Sequence, residues 1–191
     1  MKLTNEVVVP APVEQTWSLL LDVPRVVRAL PGATVEPDAA EGVYRGTLKV
    51  RLGPVTVEYE GSARLEDVDE DEHVASFLIE GRERRSHGGA TATIVNRLLP
   101  ADGSTRLVVE TDLAVTGRAA QLGRGLMEDV AANLLERFAQ GLGEVARGVE
   151  QAPPAMLDVG TAAWEPLLRR YGPYAAVGLA GFLLGLAFGR R

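Results

Sequence analysis

The chain has 191 residues, of which 46% are hydrophobic, and a formal net charge of −6. It has no cysteine, which excludes a disulfide framework, a thiolate nucleophile and a cysteine-bound metal or iron–sulfur cluster. Two histidines are too few for a histidine-rich metal site, and the negative charge argues against nucleic acid as the main partner. The N-terminus lacks the apolar core of a signal peptide, so the folded part is expected in the cytoplasm.

The N-terminal part predicts one strand and two short helices. Leu3 to Val9 has the pattern of a strand, and Pro12 favours the start of a helix because its missing N–H would be unpaired there. Trp17 lies on the predicted buried face of that helix. Asp22-Val23-Pro24 is expected to end it, and Arg25 to Leu30 is predicted as the second helix.

Five further strands are predicted from alternating apolar and polar residues bounded by turn residues. The clearest alternation covers residues 54–67 and gives one apolar and one wet face. Ala101 to Ser104 has the composition of a hairpin turn. The predicted strands are 44–52, 54–67, 72–81, 90–99 and 105–116.

A long amphipathic helix is predicted after the strands. Apolar residues recur every four positions from Leu122 to Val149, which predicts one helix over residues 118–149, roughly 48 Å long. Its four glycines weaken the helix by up to about 1 kcal/mol each. They either permit close approach to the sheet or loosen the helix ends; they are Gly123, Gly125, Gly141 and Gly143. The order of elements predicts an α+β fold in which a curved antiparallel sheet wraps around the terminal helix.

Several short motifs taken together resemble the family of the carbon monoxide dehydrogenase G subunit, within the START-like (SRPBCC) helix-grip superfamily. The resemblance covers about residues 1–148. It rests on Val9-Pro10-Ala11-Pro12 with Trp17, Leu30-Pro31-Gly32-Ala33, Gly53-Pro54-Val55, Gly61, Gly88-Gly89, Gly103 to Leu107 and Ala120 to Gly123. Residues 82–86 depart from it, because a glycine- and lysine-rich loop is expected there.

The resemblance implies a cytoplasmic accessory protein of molybdenum hydroxylases, associated with attaching carbon monoxide dehydrogenase to the membrane so that electrons reach the respiratory chain. Relatives in the superfamily carry apolar ligands between the sheet and the long helix. We therefore expect residues 1–150 to bind a respiratory quinone or another lipid-like ligand, with no covalently bound cofactor and no metal. The ligand-lining residues predicted from the inward positions are Leu48, Val57, Tyr59, Phe77, Ile79, Asn96, Thr111, Leu122, Leu126, Met127, Val130 and Phe138.

Three of these positions are polar and lie among apolar neighbours: Tyr59, Asn96 and Thr111. A buried polar group needs a hydrogen-bond partner. Backbone or water supplies it in the ordinary case, and quinone carbonyl oxygens supply it if the interior holds a quinone.

The C-terminal region predicts a membrane anchor. Residues 151–172 are predicted as a linker and interfacial segment, and residues 173–191 as the anchor, in which 173–188 carry no charge. This stretch is close to the lower length limit for spanning, so it either crosses the bilayer or lies in its interface, with orientation open. A buried C-terminal helix is the alternative. The membrane-contacting residues predicted are Trp164, Arg169, Arg170, Tyr171, Tyr174, Phe182, Phe188, Arg190 and Arg191.

Glycines at 181, 185 and 189 repeat at the GxxxG spacing, which makes self-association through the tail possible. The predicted partners are therefore membrane lipid or quinone, a molybdenum hydroxylase and a second copy, on the cytoplasmic face of the cell membrane.

No catalytic constellation is evident, and none of the predicted inward side chains titrates near neutrality, so we predict that the protein is not an enzyme. His73 and His87 are expected in solvated turns, and the acidic run 66–72 is expected at a hairpin tip. Arg82, Arg84, Arg85 and His87 form a basic cluster that either keeps a turn soluble or contacts anionic lipid or the hydroxylase. A pure anchor or assembly factor, and a cyclase-like or lipid-transfer protein, are the functional alternatives.

Overall fold

A computed structural model describes residues 1–36, 42–52, 55–149 and 157–158. The strands are β1 Lys2–Val9, β2 Ala33–Val35, β3 Val43–Leu52, β4 Val55–Asp69, β5 Val74–Glu83, β6 Gly89–Ala101, β7 Ser104–Val115 and β8 Leu157–Asp158. The α-helices are α1 Val13–Leu21, α2 Val23–Val26 and α3 Arg124–Ala146, with short 3-10 helices at Val27–Ala29 and Ala119–Leu122.

One large curved sheet, in the order β1-β7-β6-β5-β4-β3-β2, forms the body of the fold. All neighbours in this order are antiparallel. Helix α3 follows the sheet and packs against it together with α1 and α2. The predicted α+β class, with a curved antiparallel sheet and a C-terminal helix, is confirmed.

The strand register confirms the predicted inner face of the sheet. Tyr59 lies opposite Leu48, Val57 lies opposite Val50, and Thr111 lies opposite both Leu3 and Ile94. Directly paired residues project from the same face of a sheet, so period-two alternation placed the apolar set correctly. The hairpin turn is also confirmed, because Asp102 and Gly103 both have positive φ, as a two-residue β-hairpin turn requires.

Three local predictions were wrong. The predicted helix over 118–149 begins at Arg124, because Gly123 has φ +82° and separates α3 from the 3-10 helix before it. Asp22 ends α1 as predicted, but the second helix begins at Val23 and not at Arg25, because the Asp22 side chain accepts a hydrogen bond from the backbone N–H of Arg25 and caps α2. The strand Ala33–Val35 was not predicted, since three residues carry too little periodicity.

Two of the four glycines mediate close packing, but against the N-terminal segment and not against the sheet as predicted. A Cβ on Gly141 would lie 2.7 Å from the carbonyl oxygen of Ala29, and one on Gly143 would overlap the ring of Pro10. Gly125 has open space around it. The contact is therefore with the N-terminal helical region, and it is confined to the second half of the helix.

Three glycines lie side by side on the inner face of β3, β4 and β5: Gly46, Gly61 and Gly81. A Cβ on Gly61 would overlap the carbonyl oxygen of Glu80, and one on Gly46 would overlap that of Thr34. Backbones approach this closely where the sheet bends, so Gly46 and Gly61 mark a bend of the sheet around the helix.

Strand β8 is short but joins two distant parts of the chain. Leu157 pairs with Val50 and Asp158 with Arg51 in parallel register, along the edge of β3 beyond the reach of β2. These two residues lie in the stretch that the sequence assigned to a linker. Among the described residues, no helix combines the length and hydrophobicity needed to cross a bilayer. The predicted membrane residues, from Trp164 to Arg191, lie outside the described part of the chain.

A candidate ligand site between the sheet and helix α3

The two ends of the sheet differ in how they are closed. At the far end, which carries the β4–β5 and β6–β7 turns, α1 packs against β6 and β7. There the buried hydroxyl of Thr16 lies 3.0 Å from that of Thr105, which donates to the carbonyl of Ala11 at 2.7 Å. The opposite end carries the β3–β4 and β5–β6 turns and the connection from β7 to α3. We call it the mouth end, because no α-helix covers it in the described residues apart from the start of α3.

The apolar interior consists of two separate clusters. The far-end cluster contains α1, the second half of α3, Phe77, Leu98 and Leu107, with Ile79 and Phe138 half-buried at its border. The mouth-end cluster has a small buried centre of Val50, Leu52, Val57, Ala119 and Met127. Half-buried side chains surround that centre, among them Leu48, Tyr59, Leu122, Leu126 and Val130.

The predicted ligand-lining residues are thus divided between the two clusters. Seven of them belong to the mouth-end cluster: Leu48, Val57, Tyr59, Leu122, Leu126, Met127 and Val130. Phe77, Ile79 and Phe138 belong to the far-end cluster. The two remaining polar residues, Asn96 and Thr111, are in neither cluster.

The backbone of helix α3 does not approach the central strands of the sheet closely. Its backbone runs close to β1, α1 and the 3-10 helix Val27–Ala29, and makes no comparable approach to β4, β5 or β6. Side chains bridge this spacing, and several of the apolar ones on α3 are only half-buried, among them Leu126, Val130 and Phe138. We call the concave space under α3 the cup.

Asn96 is a buried polar residue on the inner face of the sheet, towards the far end. It lies on β6 between Ala75 and Val109 on the inner face, and only 6% of it is exposed. Its amide forms no hydrogen bond with any described residue, yet no polar side-chain atom in the described part is both sealed off and unpaired. The amide therefore borders space that a small polar group can reach.

Tyr59 supplies a second polar group at the mouth end. Its ring lies over Gly81, where a Cβ would stand 3.4 Å from the tyrosine Cβ. Burial, and next the charge of Glu83, raise the pKa of Tyr59, so the phenol stays protonated at neutral pH and can donate a hydrogen bond. Thr111 is half-buried opposite Ile94.

Glu83 is the residue that sequence analysis missed. It lies opposite Tyr59 on the inner face, with a side chain 2% exposed. Its Oε1 accepts a hydrogen bond of 2.6 Å from Arg118 Nη2, and its Oε2 accepts one from the hydroxyl of Ser86. The alternation of β5 could have revealed this residue. Phe77, Ile79, Gly81 and Glu83 occupy every second position of the strand and therefore lie on the same face.

The surroundings of Glu83 keep it charged. The hydrogen bond from Ser86, then that from Arg118, hold the pKa of this carboxyl below its ordinary value. Gly88 permits the arrangement, because a Cβ there would lie 2.8 Å from Glu83 Oε2. A carboxylate that is ionised and already bonded on both oxygens is a poor general acid, and its place at the mouth end suits it to fixing Arg118 instead.

Two predictions about charged surface residues need correction. His73 is only partly exposed in its turn, because its ring packs edge-on against that of Trp17, with centroids 5.3 Å apart. Arg84 is not a free member of the basic cluster, because it lies 2.6 Å from Glu58 and 3.6 Å from Glu60 on β4. Arg82, Arg85 and His87 are exposed.

A separate groove of about 190 Å³ lies outside the cup, between α3 and the segment Arg28–Pro31.

A family model, that of the carbon monoxide dehydrogenase G subunit (CoxG), matches residues 6–147. The chain belongs to the CoxG family. The resemblance drawn from the sequence motifs is thereby confirmed. A comparison with curated proteins gave no match.

Solved structures share the fold of this CoxG family member. A conserved protein from Geobacillus kaustophilus has a TM-score of 0.68 at 21% identity, covering 79% of this chain and 98% of that one. A START superfamily protein from Mycobacterium smegmatis has a TM-score of 0.53 at 14% identity, covering 78% and 99%. An aromatase/cyclase from Streptomyces has a TM-score of 0.51 at 20% identity, covering 81% and 98%. These likenesses establish the START-like helix-grip fold.

Proposed function

We propose that this protein is a carrier that binds an apolar ligand, a respiratory quinone, in the cup and serves a molybdenum hydroxylase of the carbon monoxide dehydrogenase type. Membership of the CoxG family supports the choice of enzyme partner. The observation that supports the proposal is the set of half-buried apolar side chains between α3 and the sheet, together with the amide of Asn96, which forms no hydrogen bond with any described residue.

The chemistry of the cup fits a molecule with a long apolar part and polar carbonyl groups. Apolar side chains of both clusters border the space, and each buried methylene-sized group of a prenyl chain is worth roughly 0.8 kcal/mol. Asn96 towards the far end and the protonated phenol of Tyr59 at the mouth end each offer a hydrogen-bond donor for a carbonyl oxygen. Eight residues along β5 separate their registers, so one quinone ring reaches only one of the two donors. A quinone has both features, and a soluble hydroxylase needs a carrier because quinones reside in the hydrocarbon layer.

The tail completes the proposal. Residues 173–188 are uncharged and are flanked by arginines, as suits attachment to the cytoplasmic face of the cell membrane. Anchored there, the domain would take the quinone from the bilayer and present it to the docked hydroxylase. The chain itself acts as a carrier and recruiting factor rather than as an enzyme in this proposal.

Solvent extraction of the purified full-length protein, followed by mass spectrometry, tests the ligand. We expect a quinone in the extract, and saturable binding of a short-chain quinone to protein freed of it. Absence of quinone from the extract, together with no binding in the titration, would contradict the carrier role. Asn133→Leu serves as the matched control for Asn96→Leu, because the Asn133 amide donates to the carbonyl of Asp129 in its own helix.

One observation favours a simpler function. Phe77 and Met127 are both buried, so large side chains already occupy part of the interior. A protein whose cup is filled by its own side chains would act only as an anchor or assembly factor. Recruitment of the hydroxylase to membranes by a variant unable to bind quinone would favour this second function.

A further inference from the structure

Charge is distributed very unevenly between the two ends of this acidic domain. The far end carries the acidic run 66–72, which includes the β4–β5 turn. The mouth end instead gathers basic residues from three separate segments. They are Lys49 and Arg51 on β3, Arg82, Arg84 and Arg85 at the β5–β6 hairpin, and Arg118 and Arg124 around the start of α3.

Four acidic residues of the mouth end form ion pairs with other members of this set, although Lys49 lies opposite Glu58 and Arg82 opposite Glu60 in the sheet. Glu58 and Glu60 pair with Arg84, Glu83 pairs with Arg118, and Glu128 pairs with Arg124 at 2.8 Å. Arg82 and Arg85 form no ion pair in the part of the chain that the structure describes, and both side chains are exposed. We call Lys49, Arg82, Arg85 and the neighbouring His87 the basic rim.

The course of the chain after α3 leads back to this same end. Helix α3 ends at the far end, where Gln15 donates to the carbonyl of Ala146 at 2.6 Å. Leu157 and Asp158 then pair with Val50 and Arg51, which lie near the end of β3, close to the β3–β4 turn. Asp158 therefore lies near the basic rim and not at the acidic far end.

We propose that the basic rim is a docking surface for anionic lipid headgroups, which holds the mouth of the cup against the bilayer. A cluster of arginine and lysine side chains close to the membrane surface is attracted to anionic lipid. The acidic far end is repelled by the same surface, so the two ends together fix the orientation. This inference deepens the proposed function and rests on it for the direction in which a ligand leaves the bilayer.

The absence of cysteine allows a direct test on the full-length chain. A fluorophore is attached to a single cysteine, His87→Cys at the rim or Asp71→Cys at the far end. Each protein is reconstituted into vesicles of phosphatidylcholine alone or with about one third phosphatidylglycerol, both carrying a headgroup-linked quencher. We expect quenching at position 87 several times stronger than at position 71, only on the anionic vesicles, and weakening as salt screens the contact.

Matched charge reversals identify the surface that is responsible. Arg82→Glu with Arg85→Glu should reduce quenching at position 87 by about tenfold or more. Arg97→Glu with Arg106→Glu makes the same change in net charge at the far end and should leave it unchanged. The lysine pair, Arg82→Lys with Arg85→Lys, should retain quenching, which separates loss of charge from misfolding.

Three results would overturn the proposal: equal quenching at positions 71 and 87, quenching independent of phosphatidylglycerol, or equal loss in both reversal pairs. The proposal would also fail if the fluorophore at position 87 stayed unquenched on the vesicles but changed its fluorescence when a purified molybdenum hydroxylase was added. The rim would then be a protein-docking surface. Flotation of the protein with phosphatidylcholine vesicles reports tail anchoring, and solvent extraction reports the ligand, so failure of the proposed function is recognised separately.

Discussion

Arg118 Nη2 donates a hydrogen bond of 2.6 Å to Glu83 Oε1, joining two connections at the mouth of the cup that lie 35 residues apart in the chain. The arginine is 52% exposed while the glutamate side chain is 2% exposed, so the carboxylate is the buried half of the pair. Removing Arg118 would leave the buried carboxylate with the hydrogen bond from Ser86 as its remaining compensation. The position of the β5–β6 hairpin relative to α3 therefore depends on this contact.

The ionisation of Glu83 predicts a loss of stability in acid. Because its folded-state pKa is below the ordinary value near 4.5, the carboxylate contributes stability above that value. This contribution is lost as pH falls below 4.5 through the lower folded pKa. We expect the difference in unfolding free energy between wild type and Glu83→Gln to be largest at neutral pH and to shrink in that window. Urea titrations at a series of pH values measure it.

Glu58→Gln is the matched control, since the pKa of Glu58 is also lowered, chiefly by a hydrogen bond from Arg84. That pair lies on the outer face with both side chains partly in water. Its effect should be smaller than that of Glu83→Gln and should diminish in high salt. Equal effects of the two substitutions would show that burial of Glu83 contributes nothing.

The same substitution in one helix should have opposite effects at two glycines. Gly125→Ala adds a methyl group in open space and should stabilise the protein by up to about 1 kcal/mol through helix propensity. Gly141→Ala forces a methyl group against the backbone of Ala29 and should destabilise it by about 1–3 kcal/mol. Thermal and urea unfolding measure both. Stabilisation at both positions would disprove close packing between α3 and the N-terminal helices.

Gly61→Ala tests the bend of the sheet. A Cβ there would overlap the carbonyl oxygen of Glu80, so the backbone of β4 or β5 must shift. We expect a loss of about 1–3 kcal/mol in unfolding free energy and weaker quinone binding, because the bend shapes the cup. Gly103→Ala is strained by its positive φ but lies in the far-end turn, so it should lower stability without changing quinone binding.

Asn96→Leu should change stability and binding in opposite directions. The buried amide forms no hydrogen bond with any described residue, so an apolar side chain of similar size should raise the unfolding free energy by about 1 kcal/mol. Loss of a donor to a quinone carbonyl should weaken binding about threefold to tenfold. Calorimetric titration with a short-chain quinone, beside urea unfolding, separates the two effects. Unchanged affinity would remove Asn96 from the ligand site.

The sequence by itself determined which residues face inward on most strands. Alternation such as that of Val57 and Tyr59 has only one interpretation once a strand has a wet and an apolar face, because every second side chain projects to the same side. Asp102-Gly103 likewise determined a hairpin through local backbone preference. The order of elements and the short motifs were enough to predict the helix-grip fold and the family, since both depend on local signals.

Only the tertiary structure decided how distant segments meet. The pairing of Glu83 with Arg118, the contact of Gly141 with Ala29 and the return of Leu157 to β3 each join residues far apart in the chain. Such contacts follow from the twist and bend of the whole sheet and from where each connection ends, and short-range periodicity carries no information about these distances. For the same reason, the division of the apolar interior into two clusters could not be predicted from the continuous apolar stripe of the helix.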